Sequence, residues 1–147
     1  MNQQNEQNVA ISRRKIVGDT PIVVTEIHEA CLYTGFYGVL DSVRVKKVIE
    51  KISAGIERDD HDLLVVDLSN VEVIDSAIAS LLSKMSKTLE LVGVQTIICG
   101  INPSVAESIV HAGVDMSEFR IVRNLKQALK VLYKLKGLKL VSVVNDD

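Results

Sequence analysis

The sequence has few aromatic residues, a small net charge and no long hydrophobic run. Aromatic side chains make up only 3% of the 147 residues and tryptophan is absent, so the predicted core is aliphatic. A formal charge of −2 does not favour nucleic-acid binding. No apolar stretch has the length of a membrane span, and the first residues lack the apolar segment of a signal peptide. We therefore expect a cytoplasmic protein that binds neither nucleic acid nor membrane.

Cysteine and histidine are also scarce, and their spacing argues against metal binding. Cys31 and Cys99 lie in separate apolar segments without C-x-x-C spacing, which predicts buried free thiols. His28 falls at a predicted hairpin turn, His111 at a helix end, and His61 in a charged loop where we expect it to be solvent-exposed. None has metal-ligand spacing with another histidine or cysteine. We predict no metal site, no cofactor and no catalytic residue.

Apolar residues make up 47% of the chain, and they form strand-like runs that alternate with helical patterns. Two strands joined by a turn come first. Three helix–strand units and a final helix follow. This order predicts an α/β fold with a mixed β-sheet of four or five strands and about four helices, mostly on one face.

The predicted domain is flanked by two tails. Residues 1–18 are polar and are expected to be disordered, residues 19–137 form the domain, and residues 138–147 form a C-terminal tail. The apolar stretch from Leu138 to Val144 is compatible with an added strand, a docking segment or a frayed end.

The most informative segment runs from a buried strand into a helix. The strand, Leu63 to Leu68, leads into a polar turn that places Asp75 and Ser76 at the start of the helix. Backbone N–H groups without partners and the helix dipole favour negative charge at this position, so a hydroxyl there can accept a phosphate. Ser76 as a plain helix cap is the alternative, because Ser and Asp are favoured at helix starts.

Two further motifs extend this pattern. Asp41 and Ser42 follow Gly38-Val39-Leu40 and precede the first helix, where Ser42 is either a second phosphoacceptor or an ordinary first-turn polar residue. Later in the chain, Gly100-Ile101-Asn102-Pro103-Ser104-Val105-Ala106 links a strand to a helix, with proline at the first helical position.

Together these motifs resemble the STAS family of anti-sigma-factor antagonists from about Pro21 to Leu135. The stressosome branch, with its RsbS and RsbR proteins, is the most similar. The resemblance implies that Ser76 is the principal phosphoacceptor and Ser42 a second one. It also implies that a partner contacts the surface that carries Asp41, Asp67, Asp75, Ala77 and Ala79. The hydroxyl at Ser42 favours the RsbR type, whereas the short chain favours RsbS.

The resemblance further implies a non-catalytic scaffold that is regulated by phosphorylation. Its expected partners are an RsbT-like serine/threonine kinase, RsbR-like STAS proteins and an RsbX-like phosphatase. Its expected assembly is a homodimer or a large hetero-oligomer. The alternative is a STAS module that senses a small ligand such as a nucleotide.

Overall fold

The computed structural model describes residues 22–58, 60–117 and 119–144. The predicted disordered segment 1–18 therefore lies outside the described residues. In chain order, the strands and helices of the described part are β1 (Ile22–His28), β2 (Cys31–Val39), α1 (Ser42–Arg58), β3 (Leu63–Val73), α2 (Ser76–Leu91), β4 (Gln95–Cys99), α3 (Pro103–His111), β5 (Arg120–Val122) and α4 (Leu125–Leu135).

The five strands form one mixed sheet in the order β1-β2-β3-β4-β5. The hairpin strands β1 and β2 pair antiparallel, whereas β2, β3, β4 and β5 pair in parallel. Each parallel connection contains a helix, as a crossover between parallel strands requires. The predicted fold class is confirmed, with five strands and four helices among the described residues.

The helices cover the two faces of the sheet unequally. Three of them, α1, α2 and α3, pack on one face around a large aliphatic core in which Phe36 is the largest fully buried side chain. The fourth, α4, is the one helix of the described residues that packs on the other face, where Ala128 and Leu132 cover a smaller core. Residues 63–66 alternate between these two cores and are all buried. This accounts for their continuous apolar run.

Polar side chains cap the helix starts, and a glycine ends α2. Asn102 accepts a hydrogen bond from Val105 N at 2.9 Å, and Asn124 accepts one from Gln127 N at 3.0 Å. The Gln127 amide oxygen accepts in return from Arg123 N, one residue before the position expected in a capping box. After α2, Gly93 adopts a φ of +87°, in the left-handed region that favours glycine.

Strand β3 is longer than the sequence indicates. The prediction of a polar turn directly after Leu68 is wrong, because β3 continues to Val73. The residues from Tyr37 to Val39 in β2 pair with this second half of β3, across two irregularities in the register. In this second half of β3, Val71 is buried while its neighbours are exposed. The continuous apolar run therefore ends at Leu68, although the strand itself continues.

A buried carboxylate joins β2, β3 and the end of β4. Asp67 accepts hydrogen bonds from Tyr33 Oη at 2.8 Å and from both the N–H and the hydroxyl of Ser69. The pKa of Tyr33 is raised above its ordinary value, mainly by burial and secondly by the hydrogen bond to Asp67. Gly100 lies against this cluster with a φ of +77°, and an added Cβ would lie 2.2 Å from Ser69 Oγ and 2.8 Å from Asp67 Oδ1.

The C-terminal segment from Leu138 to Val144 belongs to no helix or strand. Its five apolar side chains are exposed, and they are Leu138, Leu140, Val141, Val143 and Val144. The structure thus does not include the added strand that the sequence allowed. Within the part of the chain that the structure describes, no helix has the length and apolar character needed to cross a membrane.

We predict that Gly100→Ala destabilises the protein far more than Gly93→Ala. Left-handed strain costs about 1–2 kcal/mol and overpacking about 1–3 kcal/mol, so we expect Gly100→Ala to lower the free energy of unfolding by about 2–5 kcal/mol. Gly93 has a similar φ with nothing within 4 Å of an added Cβ. It should therefore show the strain alone, about 1–2 kcal/mol. Urea denaturation of both variants checks this, and equal losses would show that the contact with Asp67 and Ser69 is unimportant.

Candidate functional site

The starts of three helices lie at one edge of the sheet. Strands β2, β3 and β4 run in parallel, so their carboxyl ends meet at the same edge, and α1, α2 and α3 begin just beyond them. A side-chain bond ties this edge together, since Asn102 Nδ2 donates to the carbonyl of Val71 at 2.9 Å. The edge carries both predicted phosphoacceptors. We call the surface formed by Asp41, Ser42, Asp75, Ser76 and Ala77 the acceptor edge.

Asp75 caps α2 and presents Ser76 as its first residue. The backbone of Asp75 is extended, with φ −89° and ψ 173°, and Oδ1 accepts from Ile78 N at 2.8 Å. Ile78 is fully buried in the large core, which anchors the first turn of the helix. Ser76 and Ala77 are exposed. The cap is therefore Asp75, and the Ser76 hydroxyl is not required for it.

Asp41 performs the same task at α1. Its Oδ1 accepts from Arg44 N at 2.9 Å, and its Oδ2 lies 3.1 Å from Arg44 Nε in an exposed ion pair. Ser42 follows as the first residue of the helix and is half-buried. Both serines thus occupy equivalent positions, each immediately after a capping aspartate. They differ in exposure, because only Ser76 is fully at the surface.

A shallow groove between α1 and α2 brings the two motifs together. At the acceptor edge its lining residues are Ser42, Lys46, Ala77, Ser80, Leu81 and Lys84. Ser42 on one helix thus faces the residue that follows Ser76 on the other. The sequence predicted each serine separately, and the parallel sheet places them on a common surface.

Two residues predicted to contact a partner have buried side chains. Asp67 is 8% exposed, and both of its carboxylate oxygens are engaged by Tyr33 and Ser69. It precedes the end of β3 by six residues, about 20 Å of strand at 3.3 Å per residue, which separates it from Asp75. Ala79 is 3% exposed and packs into the large core. In this conformation neither side chain is available to a partner.

Exposed valines surround the acceptor edge, and the sequence reasoning did not select them. Val39 and Val73 end adjacent strands as register partners and are 60% and 45% exposed, whereas Val43 lies beside Ser42 and is 65% exposed. Val43 could have been found from helical spacing, because it falls outside the face formed by Val45 and Val48. Apolar side chains grouped on a surface are typical of protein contacts.

The prediction that His61 is exposed is wrong. Its side chain is buried, and Nε2 lies 2.8 Å from Glu26 Oε2. The reason is a contact with a segment distant in sequence, since the N–H groups of Asp62 and Leu63 both donate to the carbonyl of Ala30 and hold this segment under the hairpin turn.

The other predicted polar groups lie away from the acceptor edge. His28 Nδ1 accepts from Ala30 N, and His111 is the last residue of α3. Both cysteines are buried free thiols. Burial raises the pKa of the Cys31 thiol to about 11. Burial and the neighbouring Asp67 raise the pKa of the Cys99 thiol to about 12. Over the described residues, no three His, Cys, Asp or Glu side chains group as metal ligands would.

Comparisons with known proteins agree with this geometry. The STAS domain profile matches residues 22–128. The RsbT co-antagonist protein RsbRA of Bacillus subtilis is 26% identical over 106 residues, covering 72% of this chain and 39% of RsbRA. RsbRB of the same organism is 29% identical over 129 residues, covering 88% of this chain and 46% of RsbRB. The chain therefore spans less than half the length of these two relatives. YezB, also from Bacillus subtilis, is 40% identical over 92 residues, covering 63% of this chain and 85% of YezB.

Solved structures show the same fold. A variant of RsbS from Moorella thermoacetica superposes with a TM-score of 0.70 at 24% identity, covering 81% of this chain and all of that one. A chain from a structure describing the molecular architecture of the stressosome superposes with a TM-score of 0.62 at 25% identity, covering 78% and 98% of the two chains. The resemblance to the stressosome branch that the sequence motifs indicated is thereby confirmed.

We predict that the Asp75 side chain stabilises α2 as a hydrogen-bonding cap. Asp75→Ala should lower the free energy of unfolding by about 0.5–2 kcal/mol, whereas Asp75→Asn should change it by only a few tenths because asparagine caps equally well. Ser76→Ala is the matched control and should stay within about 0.5 kcal/mol of the parent. Thermal and urea unfolding of the three variants test this. If Asp75→Asn is as unstable as Asp75→Ala, charge rather than the hydrogen bond is what matters.

Proposed function

We propose that this chain, which belongs to the STAS domain family, is a non-catalytic stressosome scaffold that binds a switch kinase and is regulated by phosphorylation at Ser76. One observation carries the proposal. Ser76 is exposed at the first position of α2, while the neighbouring Asp75 caps the helix. The hydroxyl is therefore both accessible and dispensable for the fold.

Phosphorylation of Ser76 would change charge without breaking the structure. A phosphate adds about −1.5 to −2 charge at neutral pH. At the start of α2 this charge faces the positive end of the helix dipole, which stabilises it. Ser76 is exposed, and the buried positions of α2 begin two residues later at Ile78. We therefore expect the modified chain to retain its fold.

The same phosphate would oppose a bound partner. The acceptor edge already carries the carboxylates of Asp41 and Asp75, both exposed, with exposed valines beside them. A partner that covers the valines must also take these charges out of water. A phosphate on Ser76 raises that desolvation cost and adds repulsion against any acidic group of the partner. Phosphorylation of Ser76 thus releases or repositions the kinase.

The kinase that we propose is RsbT-like, and the proteins that assemble with this chain are RsbR-like STAS proteins in a large hetero-oligomer. Support comes from the relatives, since RsbRA and RsbRB are named as RsbT co-antagonists and one solved neighbour comes from a stressosome. An RsbX-like phosphatase would remove the phosphate. The proposed setting is the cytoplasm, where ATP is present and buried thiols such as Cys31 remain reduced.

The assignment of Ser76 predicts a selective loss of phosphate. With an RsbT-like kinase and ATP, Ser76→Ala should fold normally and lose most of the phosphate incorporated by the parent chain. Ser80→Ala is the matched control, because Ser80 is also exposed on α2, one turn later, and should retain the parent's incorporation. Mass spectrometry of phosphopeptides locates the modified residue. Phosphate found only at other positions, or full incorporation into Ser76→Ala, would exclude Ser76 as the principal acceptor.

A further inference from the structure

The groove between α1 and α2 contains two lysines that face each other from different helices. Lys46 on α1 and Lys84 on α2 both line its upper part, beside Ser42 and Ser80. Both also line its continuation further along the helices, together with Leu81. Lys46 and Lys84 therefore border one concave surface from opposite helices.

The helical spacing places each lysine one turn beyond a serine. Lys46 follows Ser42 by four residues, and Lys84 follows Ser80 by four, so each pair lies on one side of its helix. Neither ammonium group has an ion pair or hydrogen bond to the part of the chain that the structure describes. Two unpartnered positive charges that share a groove repel each other, and an anion between them would remove that repulsion.

We propose that this groove binds the phosphate of Ser42 after phosphorylation, with Lys46 and Lys84 contacting it from opposite sides. Phosphorylation joins Ser42 Oγ to the terminal phosphorus of ATP and releases ADP and the hydroxyl proton. The resulting charge of about −2 matches the two ammonium groups. The phosphate thereby links α1 to α2 through ion pairs within the chain. This inference goes beyond the proposed function, which concerns Ser76, because it requires that Ser42 be phosphorylated as well.

Ser76 differs from Ser42 in this respect. It does not line the groove, and Lys84 lies eight residues further along α2, about 12 Å at 1.5 Å per residue. A phosphate on Ser76 stays at the exposed start of α2, beside Asp75, where a partner can contact it. A phosphate on Ser42, which is half-buried, is drawn between the helices. The two modifications would therefore have different consequences although both follow a capping aspartate.

Several other charged groups face this region and affect the phosphate. Asp41 precedes Ser42 and is paired with Arg44, and Asp75 caps the neighbouring helix. Glu50 lines the lower part of the groove with both lysines. The carboxylates raise the second pKa of a phosphate on Ser42, and the lysines lower it. The proposal requires that the lysines dominate.

The test uses the full chain with phosphoserine incorporated at position 42 during translation, so that no kinase is needed. Phosphorus NMR follows the second pKa of the phosphate, which is about 6 when exposed. We expect it to be lower by about half a unit to one unit, because neighbouring positive charges favour the dianion. Lys46→Ala and Lys84→Ala should each reverse much of this shift. Lys47→Ala, at an exposed position of α1 outside the groove, should leave it unchanged.

Lys84 decides the outcome, because it lies on the other helix. If Lys84→Ala leaves the phosphate pKa unchanged in a folded chain, no link across the groove exists and the proposal is wrong. Unmodified chain titrated with inorganic phosphate provides the second arm. Saturable binding of free phosphate that is lost in Lys84→Ala, together with an unshifted phosphate pKa in the phosphoserine chain, would assign the groove to a free anion and not to Ser42. Because phosphoserine is incorporated directly, either failure leaves the kinase assay on Ser76 unaffected.

Discussion

Parallel pairing of β2 with β3, and of β3 with β4, is the constraint on which the rest of the structure depends. Parallel neighbours force a crossover helix between each pair of strands, and they bring the carboxyl ends of β2, β3 and β4 to one edge. Ser42 and Ser76, 34 positions apart in the sequence, consequently begin adjacent helices. Asp67 reinforces this arrangement at the centre of the sheet, where it bonds to Tyr33 on β2 and where only glycine fits beyond β4 at position 100.

Much of this fold could be predicted because its signals are local. Continuous apolar strands, helical periodicity, capping aspartates and asparagines, and the glycine after α2 each depend on a few neighbouring residues. The placement of Asp75 and Ser76 at the start of a helix belongs to the same class, and so does the cap at Asp41.

The features that the sequence did not reveal depend on distant partners. Strand β3 continues past Leu68 because β2 is long enough to pair with it. His61 is buried because its neighbours bond to Ala30, about thirty positions earlier. Asp67 serves the interior of the sheet, whereas the family resemblance implies that it contacts a partner at the surface. The exposed Val39 and Val73 form a pair only once the strand register is known.

In the proposed function, the kinase contacts the acceptor edge, and the negative charge of a phosphate on Ser76 weakens this contact. Calorimetric titration of the RsbT-like kinase against unmodified and Ser76-phosphorylated chain tests this most directly. Like charges brought together at an interface cost several kcal/mol, so phosphorylation should weaken binding by about tenfold or more. Val73→Ser should weaken binding of the unmodified chain, since Val73 lies at the same edge and is exposed. Equal affinity for the two forms of the chain would contradict the account.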